Sequence, residues 1–170
     1  MEGLLTTEIK SSLEKIISKC FFNNRIMDRM CSILSINFAM SNTSNILHKR
    51  LAHLYPVLAD DVSDYMDARD CSVIYGATPV GDQEYESVLE CFNKILELNL
   101  DLESEIKNSI KVANEINDYA TKVFLENFLL KIISITKDIL LLVDKAEMYG
   151  DSDINIMKLD HDIPDFGVFE

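Results

Sequence analysis

The chain has 170 residues, 48% hydrophobic and 26% charged, with a formal net charge of −13, five glycines, three prolines and no tryptophan. That is one domain's worth of soluble globular sequence with a full core, since a chain of roughly 150 residues hides about 70% of its unfolded surface. So few turn formers favour few, long helices over a sandwich or barrel, and the shortage of Lys and Arg argues against a nucleic-acid binder.

The opening stretch, MEGLLTTEIK, has no basic start followed by an apolar run, so no secretory signal is expected. From Leu4 to about Ser41 the spacing predicts a helix with Thr6 or Thr7 as N-cap, because Leu5, Ile9, Leu13, Ile16, Ile17 and Cys20 recur at three and four residues. Asn23-Asn24 is a weak point where a short extra N-terminal helical segment would end; Ile26, Met27, Met30, Cys31, Leu34 and Phe38 then resume the stripe. Ser41–Asn45 (SNTSN) reads as a capping and turn cluster, since such side chains compete for backbone hydrogen bonds.

A second helix is expected from about Asn45 to Arg69. It should be kinked or split at Pro56, which lacks an N–H and pushes Tyr55 out of the α region. Asp70–Tyr85, with Gly76, Pro79 and Gly81, is the one real loop. Glu84 to Asn114 reads as a long amphipathic helix, on the order of 45 Å at 1.5 Å per residue, buried through Val88, Phe92, Ile95, Leu102, Ile106 and Ala113. A tight turn with Asn117 or Asp118 as cap leads into a last helix that ends at Tyr149, before Gly150. Residues 151–170 are expected to lie extended over the surface as an acidic tail.

Four long helices, two short turns and one longer crossover make an all-α, antiparallel four-helix bundle over 1–150, followed by the tail at 151–170. Cys20, Cys31, Cys71 and Cys91 form no CxxC and suit reduced thiols packed as small hydrophobes in a cytoplasmic protein. Val123–Val143 is strongly apolar, but Glu126, Lys131, Lys137 and Asp138 interrupt it, so a core helix is expected and no membrane partner.

The chemistry concentrates on the second helix. Leu47, Leu51, Leu54, Leu58, Val62 and Tyr65 form its core stripe, while His53, Asp60, Asp64 and Asp67 share a second stripe about 100° away. His48 lies on the other flank, and on a straight helix two histidines five residues apart cannot hold one ion. The His53–aspartate stripe reads either as a solvated face or as a site for iron or another hard cation completed by a neighbouring helix or subunit. A di-iron centre inside the bundle needs a Glu from each of two helices and Glu-x-x-His from the other two, and no Glu-x-x-His occurs in the chain. Glu97, Asp101, Glu105 and Glu126 have no His partner at helical spacing and read as surface charges. Asp160-His161-Asp162 suits a metal chemically, although three adjacent residues seldom converge on one ion.

Three passages resemble the ferritin-like superfamily, nearest to the Dps-type mini-ferritins. Asn37–His48 (NFAMSNTSNILH) is similar to the mini-ferritin segment between two metal-binding histidines. His48 falls on the second of these, and Ile36 or Asn37 occupies the place of the first. Leu58–Arg69 (LADDVSDYMDAR) resembles the stretch that supplies acidic ligands, with Asp64 and Asp67 as the nearest matches. Asp118–Leu129 (DYATKVFLENFL) resembles the opening of the last ferritin helix, but the positions of its later glutamate and glutamine fall near Ile132 and Ile133.

The resemblance implies a ferritin-like bundle that forms a homo-oligomer and binds iron or another divalent cation through His48 or His53 with Asp60, Asp64 and Asp67. Ferroxidase chemistry, the family's reaction, lacks half of its ligand set here. The alternatives are a non-catalytic bundle kept for oligomerisation or partner binding, and a small regulatory bundle that docks an amphipathic helix in an apolar groove.

Overall fold

Few turn formers produce few, long helices. The computed structural model describes residues 3–170; Met1 and Glu2, the start of the stretch read as carrying no secretory signal, lie outside them. The described residues form α1 (Thr7–Ile36), α2 (Ser41–Ile46), a π-helical segment (Leu47–Ala52), α3 (Leu54–Ala68), α4 (Val88–Glu115), α5 (Tyr119–Tyr149), α6 (Asp153–Asp162) and a 3₁₀ turn (Ile163–Phe166). None of these helices is long and apolar enough to cross a membrane.

Hydroxyl and carboxylate side chains open the long helices as the sequence suggests. Thr6 accepts the Ile9 N–H, Ser87 the Glu90 N–H and Asp118 the Thr121 N–H, each supplying an acceptor to an otherwise orphaned amide. Helix α1 runs unbroken through Asn23-Asn24, so no separate N-terminal helical segment forms. Both amides reach outward instead of competing with their own backbone: Asn23 Nδ2 donates to the Leu98 carbonyl at 3.2 Å and Asn24 Nδ2 to the Ala52 carbonyl at 2.9 Å. The turn expected at Ser41–Asn45 sits earlier, at 37–40, where Ala39 takes φ +55°; Ser41–Asn45 is already helix.

These contacts fix the topology. Asn24 against Ala52, and Leu4 against Arg69, set α3 antiparallel to α1. The crossover at 70–87 runs back along α1, held by Ile74 N–H to Glu14 Oε1 at 2.9 Å, by Tyr75 edge-on to Phe21, and by Arg29 to the Gln83 carbonyl and the Glu84 carboxylate. Helix α4 therefore starts beside the end of α1 and runs parallel to α3. Helix α5 returns antiparallel to it, with Phe124 stacked on Tyr65 at 4.2 Å and Lys131 paired with Asp61 at 2.8 Å. Leu13, Ile17, Leu51, Val62, Phe92, Leu102, Leu125 and Ile139 are among the side chains fully or almost fully buried between the four rods.

Pro56 acts through a π turn rather than a break. Its missing N–H would leave the Ala52 carbonyl without a donor, and its ring would press on that carbonyl. The chain widens by one residue: the His53 N–H bonds the His48 carbonyl five residues back at 3.2 Å. Asn24 supplies the donor that Pro56 lacks. The extra residue advances the inward face, so Tyr55, Leu58, Ala59, Val62 and Met66 are buried on α3, while Leu54 and Tyr65 of the expected stripe are only half-buried.

The last twenty residues are not extended. Ser152 caps α6, whose Asp160 is buried beneath the start of α2: its carboxylate accepts the Thr43 N–H and Oγ1, each at 2.7 Å, and the Asn42 N–H at 3.3 Å. An anion at a helix N-terminus, meeting unpaired amides, gives the segment a reason to fold back. Tyr149 donates to Asp162 Oδ2 at 2.6 Å, and His161 Nδ1 lies 2.9 Å from Asp162 Oδ1.

Asn24→Ala should destabilise the fold by about 1–2 kcal/mol by orphaning the Ala52 carbonyl. In a Pro56→Ala background the loss should shrink, because residue 56 then carries its own donor; urea unfolding of the four proteins reads the coupling. The α5–α6 contact should also be pH-dependent. Hydrogen bonds from His161 and Tyr149 hold the Asp162 carboxyl below its ordinary value of 3.8, a contribution present above that value and lost as pH falls through the folded one. The hydrogen bond to Asp162 raises His161 above its ordinary 6.5, a contribution present below 6.5 and lost as pH rises through the folded value. Amide protection in α6 is thus expected to peak between about 3.8 and 6.5 and to fall on either side.

Candidate functional site

Sites in helical bundles are built in the core from side chains on facing helices. Halfway along this bundle each helix contributes one buried polar group: Asn23 from α1, Tyr55 from α3, Asn99 from α4 and Thr136 from α5. The Tyr55 hydroxyl donates to Asn99 Oδ1 at 3.2 Å. Asn99 Nδ2 donates to Thr136 Oγ1 at 2.7 Å and to the Ile132 carbonyl at 3.4 Å, while Asn23 holds the Leu98 carbonyl. Burial pushes the Tyr55 phenol well above its usual value and the neighbouring Cys20 thiol up to about 12, so both stay protonated.

This centre is neutral, and its donors are taken up by its own members and by the Leu98 and Ile132 carbonyls. One carboxylate approaches it: Glu103 Oε2 lies 3.4 Å from Thr136 Oγ1, with Oε1 paired to Lys107 at 2.5 Å. Iron in such bundles is held by carboxylates and imidazoles. Two amides, a phenol and an alcohol, three of them hydrogen-bonded in a chain and Asn23 to a backbone carbonyl, do not fit it.

The residues expected to bind a cation lie elsewhere. The π turn brings His48 and His53 together, against the expectation for a straight helix: their ring centroids are 4.4 Å apart, tilted by 59°. Asp28 of α1 joins them, 3.6 Å from His48 Nε2. All three are exposed. Asp60, Asp64 and Asp67 line the outer face of α3, also exposed. At 1.5 Å per residue they stand about 10, 16 and 21 Å beyond His53 along the axis, too far for one ion to touch His53 and either of the last two. Among the described residues no group of three or more His, Cys, Asp or Glu side chains is arranged to hold a metal ion.

Sequence reasoning passed over the central four. Their signal was present: Asn23, Asn99 and Thr136 stand at apolar-stripe positions, four residues before Met27, four after Ile95 and four after Ile132. Tyr55 could not be found the same way, because the π turn puts it in phase. Asp160 of the DHD motif serves as a buried cap, and His161 remains exposed.

The sequence model of a family described as the ferritin-like domain matches residues 49–148. Comparison with curated proteins by sequence finds no match. Among solved structures, the chain is similar to an open-pore ferritin from the hyperthermophilic archaeon Archaeoglobus fulgidus, with a TM-score of 0.88 at 18% identity, covering 94% of this chain and 97% of that one. It is similar also to a humanized archaeal ferritin (0.86, 18%, covering 94% and 95%). An engineered closed form of the Archaeoglobus fulgidus ferritin gives 0.87 at 18%, covering 94% and 96%. At that identity the likeness is one of fold.

If the central network is structural, Tyr55→Phe should cost about 1 kcal/mol and Asn99→Leu about 2–3 kcal/mol, the latter leaving the phenol unpaired. Replacing all three partners together (Tyr55→Phe, Asn99→Leu, Thr136→Val) should cost less than the single changes added up, which chemical denaturation measures.

Proposed function

The chain belongs to the ferritin-like domain family, and from that premise we propose that it is a non-catalytic member that uses the bundle for homo-oligomeric assembly. The observation that carries this is the neutral Asn23–Tyr55–Asn99–Thr136 network at the crossing of the four helices. A ferroxidase must bind Fe(II) and take an electron from it, and anionic carboxylates stabilise the ferric product. The four side chains at this crossing supply no anionic ligand. Assembly is supported by the apolar side chains left on the outer face of α5. Within the family, the Asn37–His48 and Leu58–Arg69 passages favour kinship with the mini-ferritins.

A second reading rests on the His48–His53 pair with Asp28. Two imidazoles and a carboxylate at an accessible π turn are ligand types that suit a divalent cation, iron included, held as cargo at the surface once their exposed side chains turn onto it, with Asp60, Asp64 and Asp67 adding negative potential along α3.

One experiment addresses both. Fe(II) is added to the protein in air, its oxidation is followed, and retained metal and native mass are measured after desalting. The assembly reading expects oxidation at the buffer rate and a mass above the 19.4 kDa chain. Oxidation clearly faster than buffer would overturn it. Retained iron that disappears in His48→Ala/His53→Ala supports the surface-site reading, and retention equal in both proteins removes it.

A further inference from the structure

The inward face of α5 is covered by its neighbours, but the helix carries a second stripe that nothing in the described chain covers. Val123, Leu130, Ile133 and Leu140 are 56%, 64%, 45% and 44% exposed. Exposed Glu126 and Lys137 stand between them in the same stripe. Steps of three and four residues alternate from Val123 to Leu140, the seven-residue repeat of a helix that packs lengthwise on another helix.

We propose that this face docks on the same face of a second copy of the chain, antiparallel, about a two-fold axis passing between Lys131 and Ile132. The inference rests on the assembly reading above and names its contact. The argument is self-complementarity. Reversing the stripe about that point sets Val123 against Leu140, Leu130 against Ile133 and Glu126 against Lys137. Apolar meets apolar and opposite charges meet, and each contact occurs twice, as an isologous interface requires. A parallel pairing in register would instead set Glu126 on Glu126 and Lys137 on Lys137, which like-charge repulsion disfavours. Within its own chain Glu126 has only a 4.0 Å, solvent-exposed approach from Lys122, a weak contact that leaves it free to re-pair. The stripe is also separate from the groove between α3 and α5, about 570 Å³, which is lined by Arg50, Leu54, Lys131 and the chain's last two residues.

The test uses the full chain and reads mass by light scattering across concentration, with circular dichroism for helix content. Leu130→Glu removes two buried leucines per dimer and should weaken association roughly a hundredfold. Glu126→Lys, which places lysine against lysine twice, should weaken it about tenfold. Glu126→Lys/Lys137→Glu exchanges the charges and should regain the wild-type mass. An assembly unmoved by Leu130→Glu, or a double charge exchange no better than Glu126→Lys alone, overturns this interface while leaving assembly standing. A wild-type chain that stays at 19.4 kDa at every concentration overturns assembly and interface together.

Discussion

A single missing hydrogen-bond donor, the nitrogen of Pro56, shapes the second arm of the bundle. It forces the turn at Leu47–Ala52 to widen, and Asn24 on the neighbouring helix completes the carbonyl it strands. The added residue changes the phase of everything after it. Tyr55 swings into the core, where Asn99 meets it, and His53 comes over His48. The central network and the surface imidazole pair are thus two results of one local deviation from 3.6 residues per turn.

The central network also sets register. Each of the four rods gives one polar member, and a slip of one rod by a turn would leave amides and hydroxyls buried without partners. An apolar substitute at those four places would pack but would choose its register less sharply. The chain thus carries the family architecture with uncharged amides and hydroxyls at the crossing and the Glu103 carboxylate at its edge.

Much of the fold was legible from residue spacing. The apolar stripes, the caps at Thr6 and Asp118, the stop at Gly150 and the long crossover all act locally, within about one turn, so sequence carries them. What escaped depends on partners distant in sequence. Asn23-Asn24 reads as a break until Leu98 and Ala52 are seen to accept their protons, and the tail reads as extended until the bare amides of α2 are seen to need Asp160. The site was harder still, because its geometry depends on a helical phase that no fixed period describes. Extrapolating 3.6 residues per turn through Pro56 assigned Leu54 to the core in place of Tyr55 and kept the two histidines apart.

Asp160 closes the first turn of α2 from a point 117 residues later in the chain. During synthesis α1, α2 and α3 leave the ribosome long before that carboxylate exists, so the opening amides of α2 must be served by water until residue 160 has been made. Helix α6 therefore works as a clasp that snaps shut after the four rods have been made. Maturation of this corner waits for α6, however early the hairpin of the first two rods collapses.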